Sequence, residues 1–177
     1  MISKQRKEEA RKNFNHYLEE GLIKKEQSNI AKEKYLENAE LSLQTADELL
    51  QSTNKPWLWI IVIAYYTMFY SANAALLHLG YKVGHKIAHQ ITNEALITLI
   101  TNKLTEELLE DYETIQQDAL TIAATQAEEI IESYEYEKTK RSTFQYNMLE
   151  QSKENKARTS YQRAKEFLFA MKKVIKQ

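Results

Sequence analysis

Cysteine is absent from the 177 residues, so neither a disulfide framework nor thiolate chemistry is open to this chain. A reducing compartment fits that absence. Glycine and proline are scarce as well, at 3 and 1 residues. Turns are therefore few, helices are long, and a glycine-rich phosphate loop is excluded. The formal net charge is -1, which leaves no global attraction for nucleic acid or anionic membrane. Any such binding has to come from a local patch. No stretch alternates polar and apolar residues as a half-buried strand does, and no internal repeat is present. The first residues, MISKQRKEEARKNF, are charged and lack an apolar h-region, so no secretory signal is expected there. The length suits one domain with a core of its own.

What is there is one uncharged run, Pro56 to Gly80, PWLWIIVIAYYTMFYSANAALLHLG, bracketed by Lys55 and Lys82. Pro56 suits the first turn of a helix, where a missing N–H costs nothing. Gly80 suits the left-handed residue that ends one. A helix apolar almost all round has to be hidden in protein or in lipid. The length is enough for a bilayer. However, Tyr65, Tyr66, Thr67, Tyr70, Ser71, Asn73 and His78 would need partners from other spans, and no second such run exists. The run is expected to be the buried central helix of a bundle.

The other segments can cover it. Residues from Ser3 to Glu20 read as a charged surface helix that ends at Gly21 and packs late on the core, with Phe14, Tyr17 and Leu18 as its apolar content. Leu22 and Ile23 would anchor the following turn. From Ser28 to Gln51, Leu36, Ala39, Leu43, Ala46 and Leu50 recur at helical spacing and form one seam. Tyr81 to Gly84 reads as a loop, followed by a helix from about His85 to Thr101. Thr105 is a suitable N-cap for a long helix carrying Leu108, Tyr112, Ile115, Ala119 and Ile122. Glu132 to Gln151 has no clean period. A last helix is expected from about Ser152, with Ala157, Tyr161, Ala164, Leu168, Met171 and Ile175 as its seam. The fold class is all-α, an up-and-down bundle.

KYLENAELSLQTADELL, WIIVIAYYTMFYSANAALLHLGYKVGHK, KRSTFQYN and SYQRAKEF together resemble HEPN domains, closest to a prokaryotic branch with an AYYxMF-type second helix. The resemblance covers roughly residues 30 to 175. It implies a HEPN-like bundle over 26–177 with residues 1–25 as an N-terminal helical extension. It further implies a cytoplasmic homodimer that needs no metal or cofactor and no membrane. Family members include metal-independent RNases of toxin–antitoxin, CRISPR and stress systems, non-catalytic partners of nucleotidyltransferases, and binding modules. RNA or a nucleotide is the expected ligand, and a nucleotidyltransferase is the partner class to look for.

The RNase members use an Arg-x4–6-His motif. Arginine grips phosphate and neutralises developing charge, and histidine moves a proton near neutral pH. Here Arg141 is present and Tyr146 stands where the histidine would be. A phenol with pKa near 10 is a poor base at neutral pH but donates a hydrogen bond. Arg141 and Tyr146 are thus the candidate catalytic pair. Lys138, Lys140, Arg141, Phe144 and Tyr146 are the candidate RNA- or nucleotide-binding set, with binding favoured over cleavage. Lys153, Lys156, Arg158 and Arg163 would extend it if the last helix folds back beside it. The competing readings are an endoribonuclease using Arg141 and a purely structural protein, in which Arg141 pairs with a carboxylate and Tyr146 closes the core.

Other spacings carry less. Arg11 and His16 repeat the Arg-x4-His spacing, but side chains five apart on a helix diverge. His85 and His89 stand four apart, a spacing that can chelate a metal on a helix face. No acidic residue lies between them, and a partly buried histidine at a helix start is the simpler reading.

Overall fold

The computed structural model describes residues 2–135 and 143–176, with side chains described for 2–124 and 152–176. Among the described residues the chain is an all-α helical bundle carrying one two-stranded ribbon. Helix α1 runs Lys4–Glu19, α2 Asn29–Gln51, α3 Trp57–His78, α4 Ala88–Ile100, α5 Glu106–Glu135 and α6 Thr143–Ile175. Strand β1 is Ile23–Lys25 and β2 is Tyr81–Val83. The starts of α1 and α2 follow from capping: Ser3 Oγ accepts from the Arg6 N–H at 3.1 Å, and Ser28 Oγ from the Ala31 N–H at 3.2 Å. Pro56 precedes the first turn of α3, and Gly80 ends it at φ +88°, as the sequence predicts.

Helix α3 is the hub. Ile60, Ala64, Met68, Ala72, Ala75 and Leu76 are completely buried. It packs against α2, α6, α5 and α4. Ala39 and Ala46, one heptad apart and both fully buried, let α2 approach closely. From α6 come Ala157, Ala164, Phe167 and Met171, and from α5 Leu109, Tyr112, Ile115 and Ala119. Helix α3 is long and apolar enough to cross a membrane, but 83 % of its most apolar window is buried inside the bundle. Cover is incomplete on one stripe: Trp59 is 51 % exposed, and Ile63, Tyr66 and Tyr70 are only partly covered.

Four differences from the sequence reading have physical causes. The expected loops after α1 and α3 pair as β1 and β2, antiparallel, with Ile23 opposite Val83. Three-residue strands are too short to show alternation. Gly84 continues this approach, donating to the Leu22 carbonyl at 2.8 Å, and a Cβ there would meet that oxygen at 3.0 Å. Second, α1 sits deeper than a surface helix resting on the core: Ala10, outside the expected apolar set, is completely buried, and it joins Phe14 and Tyr17 in the same cluster as Tyr65 and Met68. Third, α4 begins at Ala88, because Ile87 takes a left-handed conformation at φ +44°. Fourth, α6 begins at Thr143, ahead of Ser152. Apolar periodicity reports a packed face, and a helical segment without one gives no such signal.

Candidate functional site

Tyr65 sits in the middle of α3 and is 1 % exposed, so its hydroxyl has to find partners inside the bundle. His89, in the first turn of α4, supplies one: Tyr65 Oη lies 2.6 Å from His89 Nδ1. Gln116 of α5 supplies the second. Its Nε2 donates to Tyr65 Oη at 3.1 Å and to the His89 carbonyl at 2.8 Å. The carbonyl can only accept, so the Gln116 amide is oriented as a donor. The Tyr112 hydroxyl is wholly buried with no partner at hydrogen-bond geometry. Its contact with the Tyr65 hydroxyl is looser than a hydrogen bond, and burial first, then Tyr65, push its pKa well up.

These contacts and burial bear on where the protons sit. Tyr65 is kept as a phenol, its pKa pushed up to about 12 by burial, with the neighbouring Tyr112 hydroxyl and the Gln116 hydrogen bond pulling the other way. Gln116 takes one lone pair of the Tyr65 oxygen and leaves the phenol its own proton to give to the close neighbour, His89 Nδ1. Burial lowers the His89 pKa, which favours the neutral ring. A neutral imidazole whose Nδ1 accepts carries its hydrogen on Nε2.

Around His89 the aromatic rings form a row. Phe69 is 4.6 Å from the imidazole centroid and tilted 42°, while Tyr66 meets it edge-on at 6.1 Å. Tyr66 continues to Tyr70 at 5.7 Å, and Tyr70 to Tyr35 of α2 at 6.2 Å. Positions 66, 69 and 70 meet because residues three and four apart share a helix face. Tyr66 is 36 % exposed, and Phe69, Tyr70 and Tyr35 are half-buried, so the row is a surface rather than core.

A second feature is a polar groove of about 610 Å³ between α5 and α6, lined by Thr114, Asp118, Asn155, Lys156, Thr159 and Arg163. Asp111 pairs with Arg163 at 3.0 Å and Asp118 with Lys156 at 2.9 Å, so the helices run antiparallel. Burial raises the Asp111 pKa, against the lowering effect of Arg163. Each cation faces an acid, which makes this groove a closed charge set rather than a ready phosphate site.

The residues singled out from the sequence divide accordingly. Lys138, Lys140 and Arg141 lie outside the described residues, as do the side chains of Phe144 and Tyr146. Of the proposed extension, Lys156 and Arg163 are paired as above, and Arg158 binds Glu154 at 2.8 Å while standing 5.4 Å over the Trp57 ring. Arg11 and His16 are exposed on α1. His85 lies before α4 rather than on it, so it shares no helix face with His89, whose Nδ1 is already engaged. Among the described residues no group of three or more His, Asp or Glu is placed to hold a metal. Sequence reasoning missed the Tyr65–His89–Gln116 centre, whose members stand far apart in the chain; the partly buried histidine at a helix start was its only trace.

No protein-family model, curated protein or solved structure matches this chain.

Proposed function

We propose that the protein binds RNA or a nucleotide, without acid–base cleavage at the surface described here. The observation that carries this reading is the partly exposed row from Tyr35 through Tyr70 and Tyr66 to Phe69 and His89. Successive bases stack on such faces without strong sequence preference. Phosphate would be held by the Arg141, Lys138 and Lys140 segment indicated by the HEPN resemblance, in a cytoplasmic homodimer. A nucleotidyltransferase encoded beside it would favour a toxin–antitoxin setting. The histidine supports binding over chemistry. With Tyr65 donating to Nδ1, the ring's outer nitrogen carries the hydrogen and has no lone pair for a base, and Tyr65 would have to become a phenolate for the neutral ring to act as an acid.

The test is fluorescence anisotropy with short single-stranded RNA at low and high salt, with a parallel cleavage assay in EDTA. Binding is expected to weaken with salt. Tyr66→Ala removes a stacking face worth roughly 1–3 kcal/mol per base, while Tyr66→Phe keeps it. Arg141→Ala is expected to weaken binding independently. No binding at low salt, or wild-type binding by Tyr66→Ala, sinks the reading. Rapid metal-independent cleavage would show an enzyme instead.

A further inference from the structure

We infer that His89, locked as its Nε2–H tautomer, reads the edge of a nucleobase, donating to a carbonyl or ring nitrogen of an uncharged planar ring laid against Phe69 and Tyr66. This rests on the nucleotide-binding reading above and narrows it: the histidine takes the base, and phosphate is held elsewhere.

Three observations lead there. The first is the proton count. Gln116 is fixed as a donor by the His89 carbonyl, and Tyr65 receives from it at 3.1 Å. In the remaining short contact, 2.6 Å to His89 Nδ1, Tyr65 has its proton to give, and we take it as the donor. The imidazole is left with one free group, an N–H on its half-buried outer edge. That group is a donor of fixed direction, because the phenol behind it holds the ring plane. Locked second partners of this kind set histidine tautomers at other functional sites as well.

The second observation is what surrounds that donor. Besides Tyr65, the imidazole's ring neighbours on α3 are Phe69 and Tyr66, at 4.6 and 6.1 Å between centroids. Among the described residues the cation–ring contacts fall on Trp57 and Phe169 instead. Lys86, the cation nearest in sequence, is exposed on the preceding turn and makes no such contact with these rings. Among the described residues, a phosphate placed here would meet one neutral donor and aromatic faces. A nucleobase would meet a stacking face and a donor for its acceptor edge, which is the set that flat aromatic ligands require.

The third is the backbone. Ile87 is β-branched, stands at φ +44°, and is 53 % exposed, so its own packing does not account for the left-handed turn. That turn starts α4 and places His89 two residues on, against α3. Strain of this kind is retained where the surrounding structure over-determines it, and it concentrates at ligand sites.

The experiment is nitrogen-15 NMR of the full chain labelled on histidine, titrated separately with uridine, uridine monophosphate and inorganic phosphate at millimolar concentration. In the free protein the His89 pattern is expected to be that of the Nε2–H tautomer. Uridine and its monophosphate should shift the His89 signals alike, and phosphate alone should leave them unmoved. His89→Phe keeps a ring and deletes the donor, and should weaken uridine binding about tenfold. An Nδ1–H tautomer overturns the inference in the wild type without recourse to any variant. A response to phosphate equal to that of uridine overturns it too. If RNA binds and Tyr66→Ala weakens it while uridine leaves His89 unmoved, the edge reader falls and the stacking surface stands.

Discussion

The Arg6 guanidinium reaches from the first turns of α1 to Glu94 in α4 with both terminal nitrogens, at 2.8 and 3.0 Å. Its Nη2 also meets Glu113 of α5 at 3.0 Å, and Asn93 donates to the same carboxylate at 2.9 Å. Glu94 is 6 % exposed. One residue near the start of the chain thus ties three helices by a forked, charge-assisted contact. With Phe14 and Tyr17 in the shared core, this makes α1 part of the body of the bundle.

Removing Arg6 leaves the Glu94 carboxylate buried without its cation. Arg6→Ala is expected to destabilise the protein by roughly 3 kcal/mol, the scale on which broken buried pairs cost. Lys7 pairs with Glu106 at 2.6 Å, but both side chains are about a third exposed. Lys7→Ala should therefore cost less than about 1 kcal/mol. Urea unfolding of the two variants gives the comparison, and equal costs would show that the forked pair has no special weight.

Ile87 offers a gain in stability. At φ +44° its side chain is strained, and at 53 % exposure little packing is lost with it. Ile87→Gly should raise stability by about 1 kcal/mol, the relief of the left-handed strain less the added backbone entropy of glycine. A lowered melting temperature would mean that the isoleucine side chain holds the turn.

Close approach of α2 and α3 is tested at Ala39, which has no exposed surface. Ala39→Leu forces extra methylenes into a closed contact and should cost about 1–3 kcal/mol. Leu41, 61 % exposed two residues away, is the control, and Leu41→Ala should change stability by no more than about 0.5 kcal/mol. Thermal melts of both variants decide the point.

The tyrosine–histidine centre gives stability a defined pH dependence. Facing His89 are Tyr65, Tyr66 and Phe69 from α3 and Gln116 from α5, none charged at neutral pH. Burial lowers the His89 pKa in the fold, so between that value and its unfolded value of about 6.5 the unfolded chain binds more protons. Stability should be fully present above about pH 6.5 and fall as pH drops through that window. Tyr65 acts at the other end: its pKa is pushed up to about 12, so its contribution is present below about pH 10 and lost as pH rises toward 12. Unfolding free energies across pH should show the acid slope flattened in His89→Phe, and an unchanged slope would remove His89 as its source.

Self-association is tested by light scattering at micromolar concentration, where a particle of about twice the 20.8 kDa chain mass is expected. The HEPN resemblance motivates this expectation, and the uncovered Trp59 on the hub helix supports it. A monomer throughout would end the homodimer proposal.

By itself the sequence determined what depends on neighbours along the chain. The uncharged run between Pro56 and Gly80 reads as a buried helix because helical spacing and end residues are local properties, and α3 occupies Trp57–His78. Ser28 and the Ala39–Ala46 seam announce α2 in the same way. Tertiary structure decided the rest. The β1–β2 ribbon joins residues of the turns after α1 and α3, and three residues hold no period. The Arg6–Glu94 fork and the Tyr65–His89–Gln116 centre bring together side chains from different helices. Nothing in the spacing of Tyr65 and His89 marks them as partners, because the approach of α4 to α3 is set by burial of their apolar faces and by the turn at Ile87. A hydrogen bond such as theirs is a consequence of packing, and packing is a property of the whole chain.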